Sequence, residues 1–185
     1  MKIRTFLIIF FICLPFLSKA QHFALSTNLL EWADLGTVNL NAAVSASRHF
    51  SIEAGTRYNP FKFTKQSGLE IMDRETTAYV GAKYWPWYVF SGMWIGCKVQ
   101  YSDFENTGIW RYAIDEGKGV GGGLSIGYTL MVTPHFNIDF GIGGWGGRLF
   151  EHTLYHCLNC MVVRENGPKY FLKLDEISIS LMFIL

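Results

Sequence analysis

Hydrophobic and polar side chains alternate one by one along several stretches of the chain. The clearest stretch is HFNIDFGIGG at residues 135–144, where Phe136, Ile138, Phe140 and Ile142 are separated by small or polar residues. Successive side chains of a β-strand point to opposite faces, so this stretch predicts a strand with one apolar face and one polar face.

The same alternation recurs and predicts eight strands in total. Their apolar faces run over Phe23–Leu29, Val38–Ala46, Phe50–Tyr58, Ala78–Tyr84, Met93–Tyr101, Leu124–Leu130, Phe136–Ile142 and Ile177–Leu185. Short connections (residues 47–49, 85–91 and 132–135) alternate with longer ones (31–37, 59–75, 103–119 and 147–169). An even number of strands joined in this way is typical of an antiparallel up-and-down transmembrane β-barrel.

The polar faces of these strands carry mostly serine, asparagine and glycine, with few charges. The surface of a soluble barrel would be about a quarter to a third charged, and glycine inside an exposed strand costs stability. Small side chains suit the narrow interior of an eight-stranded barrel, so we expect the apolar faces to meet lipid. Six charged residues are predicted to neutralise one another in the lumen: Glu53, Arg57, Lys83, Lys98, Asp139 and Glu176.

The composition supports the same architecture. Half of the residues are hydrophobic and 17% are charged, against about 25% charged in soluble domains. After residue 21, however, no apolar stretch approaches the length of a membrane-spanning helix. An apolar chain without such a helix favours a membrane β-barrel.

The first 20 residues have the features of a secretory signal peptide. Lys2 and Arg4 precede an apolar run, which is followed by Ser18 and Ala20 at the small-residue positions of a cleavage site. Cleavage would leave residues 21–185 as one barrel domain with 13 basic and 15 acidic residues. We therefore expect export to the outer membrane of a Gram-negative cell, contact with its lipid, and no binding of nucleic acid.

Aromatic residues cluster near the predicted strand ends. Membrane barrels carry girdles of aromatic side chains where lipid meets water. The sequence YWPWYVF at residues 84–90 would supply this girdle at the rim with short connections. The girdle is predicted to include Trp85, Trp87, Tyr88, Trp110 and Trp145.

Residues 26–63 resemble the opening motif of a Gram-negative outer-membrane family, domain of unknown function 3575. The matching positions are Thr27–Leu30, Asn39–Leu40 and Tyr58–Pro60, with Phe61 where the family has tryptophan. The resemblance resumes over residues 119–144 and at the paired cysteines before the last strand. An acidic residue expected in the second strand is absent, and Gly167-Pro168 stands further ahead of the last strand than expected.

The resemblance implies an outer-membrane barrel, sometimes associated with fimbrial or adhesin gene clusters. It carries over no catalytic residue. It therefore adds a surface or fimbrial protein to the expected partners.

One predicted outer loop concentrates possible metal ligands. The sequence HTLYHCLNC at residues 152–160 contains His152, His156, Cys157 and Cys160. Four such groups could bind zinc tetrahedrally, whereas a Cys157–Cys160 disulfide suits the oxidising environment of an exported protein. We favour the disulfide and predict no metal or other cofactor.

Three functions follow from the sequence. The first is a non-enzymatic barrel that interacts with a surface partner through its outer loops. The second is a binder or conduit for a small hydrophobic molecule, with Trp94, Trp145 or Tyr79 pointing inward. The third is a lipid-modifying enzyme with His152 or His156 beside Asp103 or Ser102, although no spacing marks these residues as nucleophile and base. We expect the first and assign no catalytic residue.

Overall fold

The computed structural model describes residues 23–33, 36–64, 70–107, 114–155 and 163–185. Within these ranges the chain forms ten strands and one short helix. They are β1 (Phe23–Asn28), α1 (Leu29–Ala33), β2 (Val38–Ser45), β3 (Phe50–Asn59), β4 (Lys62–Thr64), β5 (Glu70–Tyr84), β6 (Gly92–Thr107), β7 (Ile114–Thr133), β8 (Phe136–Tyr155), β9 (Val163–Asn166) and β10 (Lys169–Ile184). No helix in the described ranges is long and apolar enough to cross a membrane. The predicted signal peptide, Trp110, Cys157 and Cys160 lie outside the described residues.

Eight of these strands close into an antiparallel barrel. Neighbours along the chain pair from β1 round to β8, and β10 pairs with both β8 and β1 to complete the ring. The short strands β4 and β9 add to β5 and β8 at the end of the barrel that carries the longer connections. The eight-stranded antiparallel barrel expected from the sequence is thus confirmed. We call its two ends the short-turn end and the long-loop end.

The strands reach further at the long-loop end than the sequence predicted. Residues 103–119 were expected to form a loop, but β6 continues to Thr107 and β7 begins at Ile114, with paired residues throughout. Likewise, β8 continues to Tyr155. The outward positions become charged in these extensions, so the alternation of apolar and polar residues ends before the backbone pairing does.

The first long connection contains a helix that the alternation did not predict. Leu29 was assigned to the first strand, but the strand ends at Asn28 and residues 29–33 form α1. The Asn28 side chain accepts a hydrogen bond from the Leu30 amide at 3.1 Å and donates one to the Glu31 carboxylate at 3.0 Å. Asn28 therefore caps the helix, a role for which asparagine is favoured.

The predicted faces of the strands are confirmed in the barrel. Apolar side chains point outward and stay exposed; Ile52 and Val80, for example, are 60% exposed and Leu124 is 71% exposed. Inward positions on the same strands are covered, and Ser51 and Thr77 have no exposed surface. The outer wall of the barrel is therefore apolar and its interior polar.

Glycine is required at Gly127 because a backbone oxygen and a buried ring lie close to its Cα atom. A Cβ atom at Gly127 would lie 2.2 Å from the Phe140 carbonyl oxygen and 2.3 Å from the Trp94 ring. We expect Gly127→Ala to lower the free energy of unfolding by about 1–3 kcal/mol, because backbone and a buried ring must both move. Urea unfolding of the folded protein measures this change.

Gly122, on the outer face of the same strand, is the matched control. A Cβ atom there would have its nearest neighbour, the Lys98 carbonyl oxygen, at 3.8 Å. Gly122→Ala should change the stability by less than about 0.5 kcal/mol. Equal effects of the two substitutions would contradict the close packing of Trp94 against β7.

Candidate functional site

A buried cluster of charges occupies the middle of the barrel lumen. The ammonium group of Lys83 on β5 lies 3.3 Å from a Glu53 carboxylate oxygen and 3.4 Å from an Asp139 carboxylate oxygen. It also lies 3.9 Å from the centre of the Trp94 ring. The Trp94 indole N–H donates to Asp139 at 2.6 Å, and the Thr129 hydroxyl donates to the same oxygen. Strands from opposite sides of the barrel are thereby linked through its interior.

A second set of ionic contacts lies nearer the long-loop end. The Arg57 guanidinium binds the Glu31 carboxylate of α1 at 3.0 Å and lies 4.0 Å from the Glu75 carboxylate of β5. The Thr77 hydroxyl lies 2.8 Å from the Ser102 hydroxyl and also contacts Glu75. These contacts join the short helix to the barrel wall.

The structure brings together most of the charges predicted for the lumen. Glu53, Arg57, Lys83 and Asp139 take part in the contacts above, and Lys98 is also buried inside the barrel. The Lys98 ammonium lies 5.2 Å from the centre of the Tyr79 ring. The Glu176 side chain lies outside the described part of the structure.

Aromatic side chains fill the lumen at the short-turn end. Trp85 and Trp94 have no exposed surface and Phe90 is 2% exposed. Phe90 adopts a left-handed backbone conformation with φ of 64°, which is uncommon outside glycine. Its carbonyl accepts a hydrogen bond from the Asn137 side chain at 2.8 Å, and the Trp85 indole donates to Ser51 at 3.0 Å. The turn between β5 and β6 thus folds back and plugs this end.

The prediction of an aromatic girdle is wrong for two of its members. Trp85 lies inside the plug, and Trp145 is 1% exposed inside the barrel. Tyr84 and Gly144 face outward, so the residue that follows each of them on the strand must face inward. Extending the alternation by one residue would therefore have predicted that Trp85 and Trp145 point into the lumen. Trp87 and Tyr88 are exposed by 55% and 57% at the short-turn end.

At the long-loop end, the lumen opens into a cavity of about 440 Å³, which we call the mouth cavity. Charged and polar side chains form one part of its lining and apolar side chains the rest. The lining residues are Leu30, Glu31, Thr37, Arg57, Asp73, Glu75, Ser102, Phe104, Asn106, Trp145, Lys173, Leu174 and Ile177. The volume lies within the range of small-molecule binding sites. A second cavity, beside Lys83 and Asp139, has a volume of about 40 Å³.

Charged side chains lie on the outside of the long-loop end on the four neighbouring strands β5 to β8, beyond the apolar wall. We call this group the collar; it comprises Arg74, Asp103, Glu105, Glu116, Lys118 and Glu151. Arg74 binds Glu105 at 3.0 Å, and Lys118 lies 3.4 Å from Asp103. The hydrogen bond and charge of Asp103 raise the pKa of Lys118, and a hydrogen bond to Glu116 raises the pKa of Tyr155.

The residues proposed for an enzymatic site have other partners. His152 is buried, and its Nε2 atom lies 3.0 Å from the Asp115 carboxylate. The Ser102 hydroxyl contacts Thr77 and Asp103 contacts Lys118. His156, like the two loop cysteines, lies outside the described residues. Among the described side chains, no group of three or more His, Cys, Asp and Glu is arranged to hold a metal ion.

Comparison with known proteins identifies the family. The family model described as protein of unknown function (DUF3575) matches residues 5–185. The chain therefore belongs to this family, as its motifs suggested. No curated protein matches the chain.

Proposed function

We propose that this protein is embedded in the outer membrane, does not conduct solutes, and interacts with surface partners through its long-loop end. One observation carries the membrane location: the outward face of the barrel is an apolar band that runs round the ring. Monomeric soluble proteins rarely expose an apolar surface of this extent, because burying it in lipid or a partner is favourable.

The dimensions of the band support this location. On β6 the outward apolar positions run from Met93 to Tyr101 and then give way to Asp103. On β3 they run from Phe50 to Tyr58. Strands of about 9–11 residues span a bilayer when tilted. The collar then lies in water beyond the lipid, and Trp87 and Tyr88 lie at the opposite interface.

The filled lumen supports a role other than transport. Trp85, Phe90 and Trp94 plug the short-turn end, and the ion pairs around Lys83 fill the middle. Water-filled membrane channels need wider barrels of many more strands, about 16–18 in porins. The long-loop end carries the collar, α1 and the mouth cavity, so it is the part of the molecule available to a partner. A fimbrial or other surface protein is the partner class that we propose.

The polar part of the mouth cavity argues against the second function considered from the sequence. Trp145 lines the cavity, but so do Glu31, Arg57 and Glu75. A small hydrophobic molecule bound there would cover these charged groups without hydrogen-bonding them, at a cost of desolvation. We propose no catalytic residue.

Heat modifiability tests the membrane proposal. Residues 21–185 are purified in detergent and run on a gel before and after boiling, with circular dichroism of each sample. We expect a compact, fast-migrating band that slows on boiling, because a closed barrel withstands cold detergent. A chain that remains soluble without detergent and shows no shift would overturn the proposal and make the apolar band a buried interface.

A further inference from the structure

The strand β10 continues beyond the point where its neighbour β1 ends. The last residue of β1, Asn28, pairs with Ser180 of β10. The earlier residues of β10 pair with β8 on one side, and no described strand pairs with them on the other. The helix α1 contacts β10 on this side but offers no strand to pair with. We call the segment from Lys169 to Leu174, where a bulge follows, the open edge.

Side chains on both faces of the open edge are exposed. The outward residues Tyr170, Leu172 and Leu174 are 79%, 86% and 63% exposed. The intervening lysines, Lys169 and Lys173, are exposed as well. On a strand with two neighbours, such as β6, alternate residues are buried instead. The described residues, α1 included, therefore leave the open edge accessible.

The backbone of the open edge has hydrogen-bonding groups that no described strand meets. On one strand, residues whose side chains face the same way also direct their N–H and C=O groups to the same side. The outward-facing Ile179 donates its amide hydrogen to the Asn28 side chain, at 3.1 Å, on the side of β1. Tyr170, Leu172 and Leu174 face outward too, so their N–H and C=O groups point to that side, beyond the end of β1. Within the described part of the chain, no backbone hydrogen bond is made there.

Positive charges accompany these backbone groups. The open edge contains Lys169 and Lys173 and no acidic residue, and Arg148 of β8 lies opposite Tyr170. The Lys173 ammonium lies 4.6 Å from the centre of the Phe104 ring, and the Arg148 guanidinium lies 5.9 Å from the centre of the Tyr170 ring. Both cations thus contact aromatic rings rather than described carboxylates. An acidic molecule would find unneutralised charge here.

We propose that the open edge binds an extended, acidic segment of a surface partner, which adds to the sheet as one more strand. The free N–H and C=O groups of an edge strand are a template for such pairing, in which backbone hydrogen bonds supply affinity and alternate side chains supply specificity. Apolar side chains of the added strand would extend the row of Tyr170 and Leu172. Acidic side chains on its other face would lie beside Lys169 and Lys173.

A second copy of this chain is a poorer occupant of the open edge. Pairing two open edges would bring the lysines of both copies together, and like charges on neighbouring strands are destabilising. The same charges favour an acidic strand, so they select between the two occupants. The inference deepens the proposed function and rests on it for one point, that the partner approaches the long-loop end.

Hydrogen exchange of leucine amides tests the proposal. The mature chain is labelled with heavy nitrogen at its leucines and kept in an uncharged detergent, and Leu172→Ile and Leu124→Ile identify two amide signals. The probes are two peptides of about six residues, near the usual length of a strand, in which valine alternates with glutamate or with lysine. The glutamate peptide should slow exchange at Leu172 by about tenfold, the value of one backbone hydrogen bond. Leu124, which pairs with Gly144 in the closed ring, should be unaffected.

Two substitutions of one residue separate backbone pairing from side-chain contact. Leu172→Ala and Leu172→Pro both remove the leucine side chain, but only proline removes the N–H on the open side. Both variants should keep the barrel, because proline is tolerated on an edge strand where its nitrogen faces away from the neighbouring strand. Fluorescence anisotropy of the labelled glutamate peptide should show that Leu172→Pro binds it about tenfold more weakly than Leu172→Ala does.

Charge reversal tests the acidic character of the partner. Lys173→Glu should weaken binding of the glutamate peptide by about fivefold, the upper value of one exposed ion pair, and should strengthen binding of the lysine peptide. Lys118→Glu, in the collar on β7, is the matched control and should change neither affinity.

Two results would overturn the proposal. Exchange at Leu172 that the glutamate peptide does not slow would reject strand addition, and equal binding of the two peptides would reject an acidic partner. Gel mobility before and after boiling, on the same samples, separates these failures from that of the membrane proposal. Protection of Leu172 in a chain that needs no detergent would keep the strand-binding edge and reject the membrane location.

Discussion

Replacing Lys83 by methionine is expected to lower the free energy of unfolding by about 3–5 kcal/mol, the usual cost of removing one partner from a buried ion pair. The Lys83 side chain is 8% exposed and contacts carboxylates that are 9% and 5% exposed. Without the ammonium, Glu53 and Asp139 would face each other in the lumen as unpaired charges. Urea unfolding in lipid vesicles, followed by tryptophan fluorescence, measures the loss.

Two further variants separate charge from packing. A triple variant with Lys83→Met, Glu53→Gln and Asp139→Asn should recover most of the lost stability, because no uncompensated charge remains. Lys118→Met, which removes an exposed lysine of the collar, should leave the unfolding midpoint unchanged. If Lys83→Met and the triple variant are equally unstable, packing of the lysine stem against Trp94 is the cause, and the electrostatic account is wrong.

Placing an arginine on the apolar band is expected to lower the free energy of unfolding in a bilayer by about 2–4 kcal/mol. Leu124 is the position of choice because its side chain is 71% exposed and leaves no cavity when replaced. The charge of Leu124→Arg would lie near the middle of the hydrocarbon layer. Unfolding in lipid vesicles and in a short-chain detergent should show the loss mainly in the vesicles.

Val132 on the same strand supplies the control. It is 51% exposed and lies beside the turn at the short-turn end, where we place the lipid–water interface. Val132→Arg should therefore cost less than about 1 kcal/mol. Equal costs at Leu124 and Val132, or equal costs in vesicles and in detergent, would contradict immersion of the band in lipid.

The sequence predicted the faces of the strands more reliably than their ends. Ile52, Val80 and Leu124 all face outward as the alternation required, because side-chain direction on a strand depends only on parity. Trp85 and Trp145 were placed on the outer surface because aromatic residues near strand ends are typical of girdles. Their positions in the alternation of the strand instead predicted that they face the lumen, and this prediction agrees with the structure.

Other elements left weaker signals in the sequence. The helix α1 has five residues, too few for a helical period, and its cap depends on the Asn28 side chain accepting a hydrogen bond from the Leu30 amide. The extensions of β6, β7 and β8 carry charges on their outer face and so lack the alternation. Trp94, Trp145 and Tyr79 were candidates for inward positions from the sequence, but the plug formed by Trp85 and Phe90 depends on a left-handed turn conformation that no local pattern predicted.

The amino-acid sequence by itself determined the number of strands in the closed barrel, their order and whether each of their residues faces the lumen or the outside. These properties are local, because they depend only on the alternation of apolar and polar side chains between neighbouring residues of a strand. The tertiary structure decided which residues meet inside: Lys83 and Asp139 are 56 positions apart, and Trp145 reaches the same cavity as Glu31. Such contacts depend on the register between each pair of neighbouring strands. Together, these registers set the stagger of the closed barrel and so the position of every inward side chain along the barrel axis.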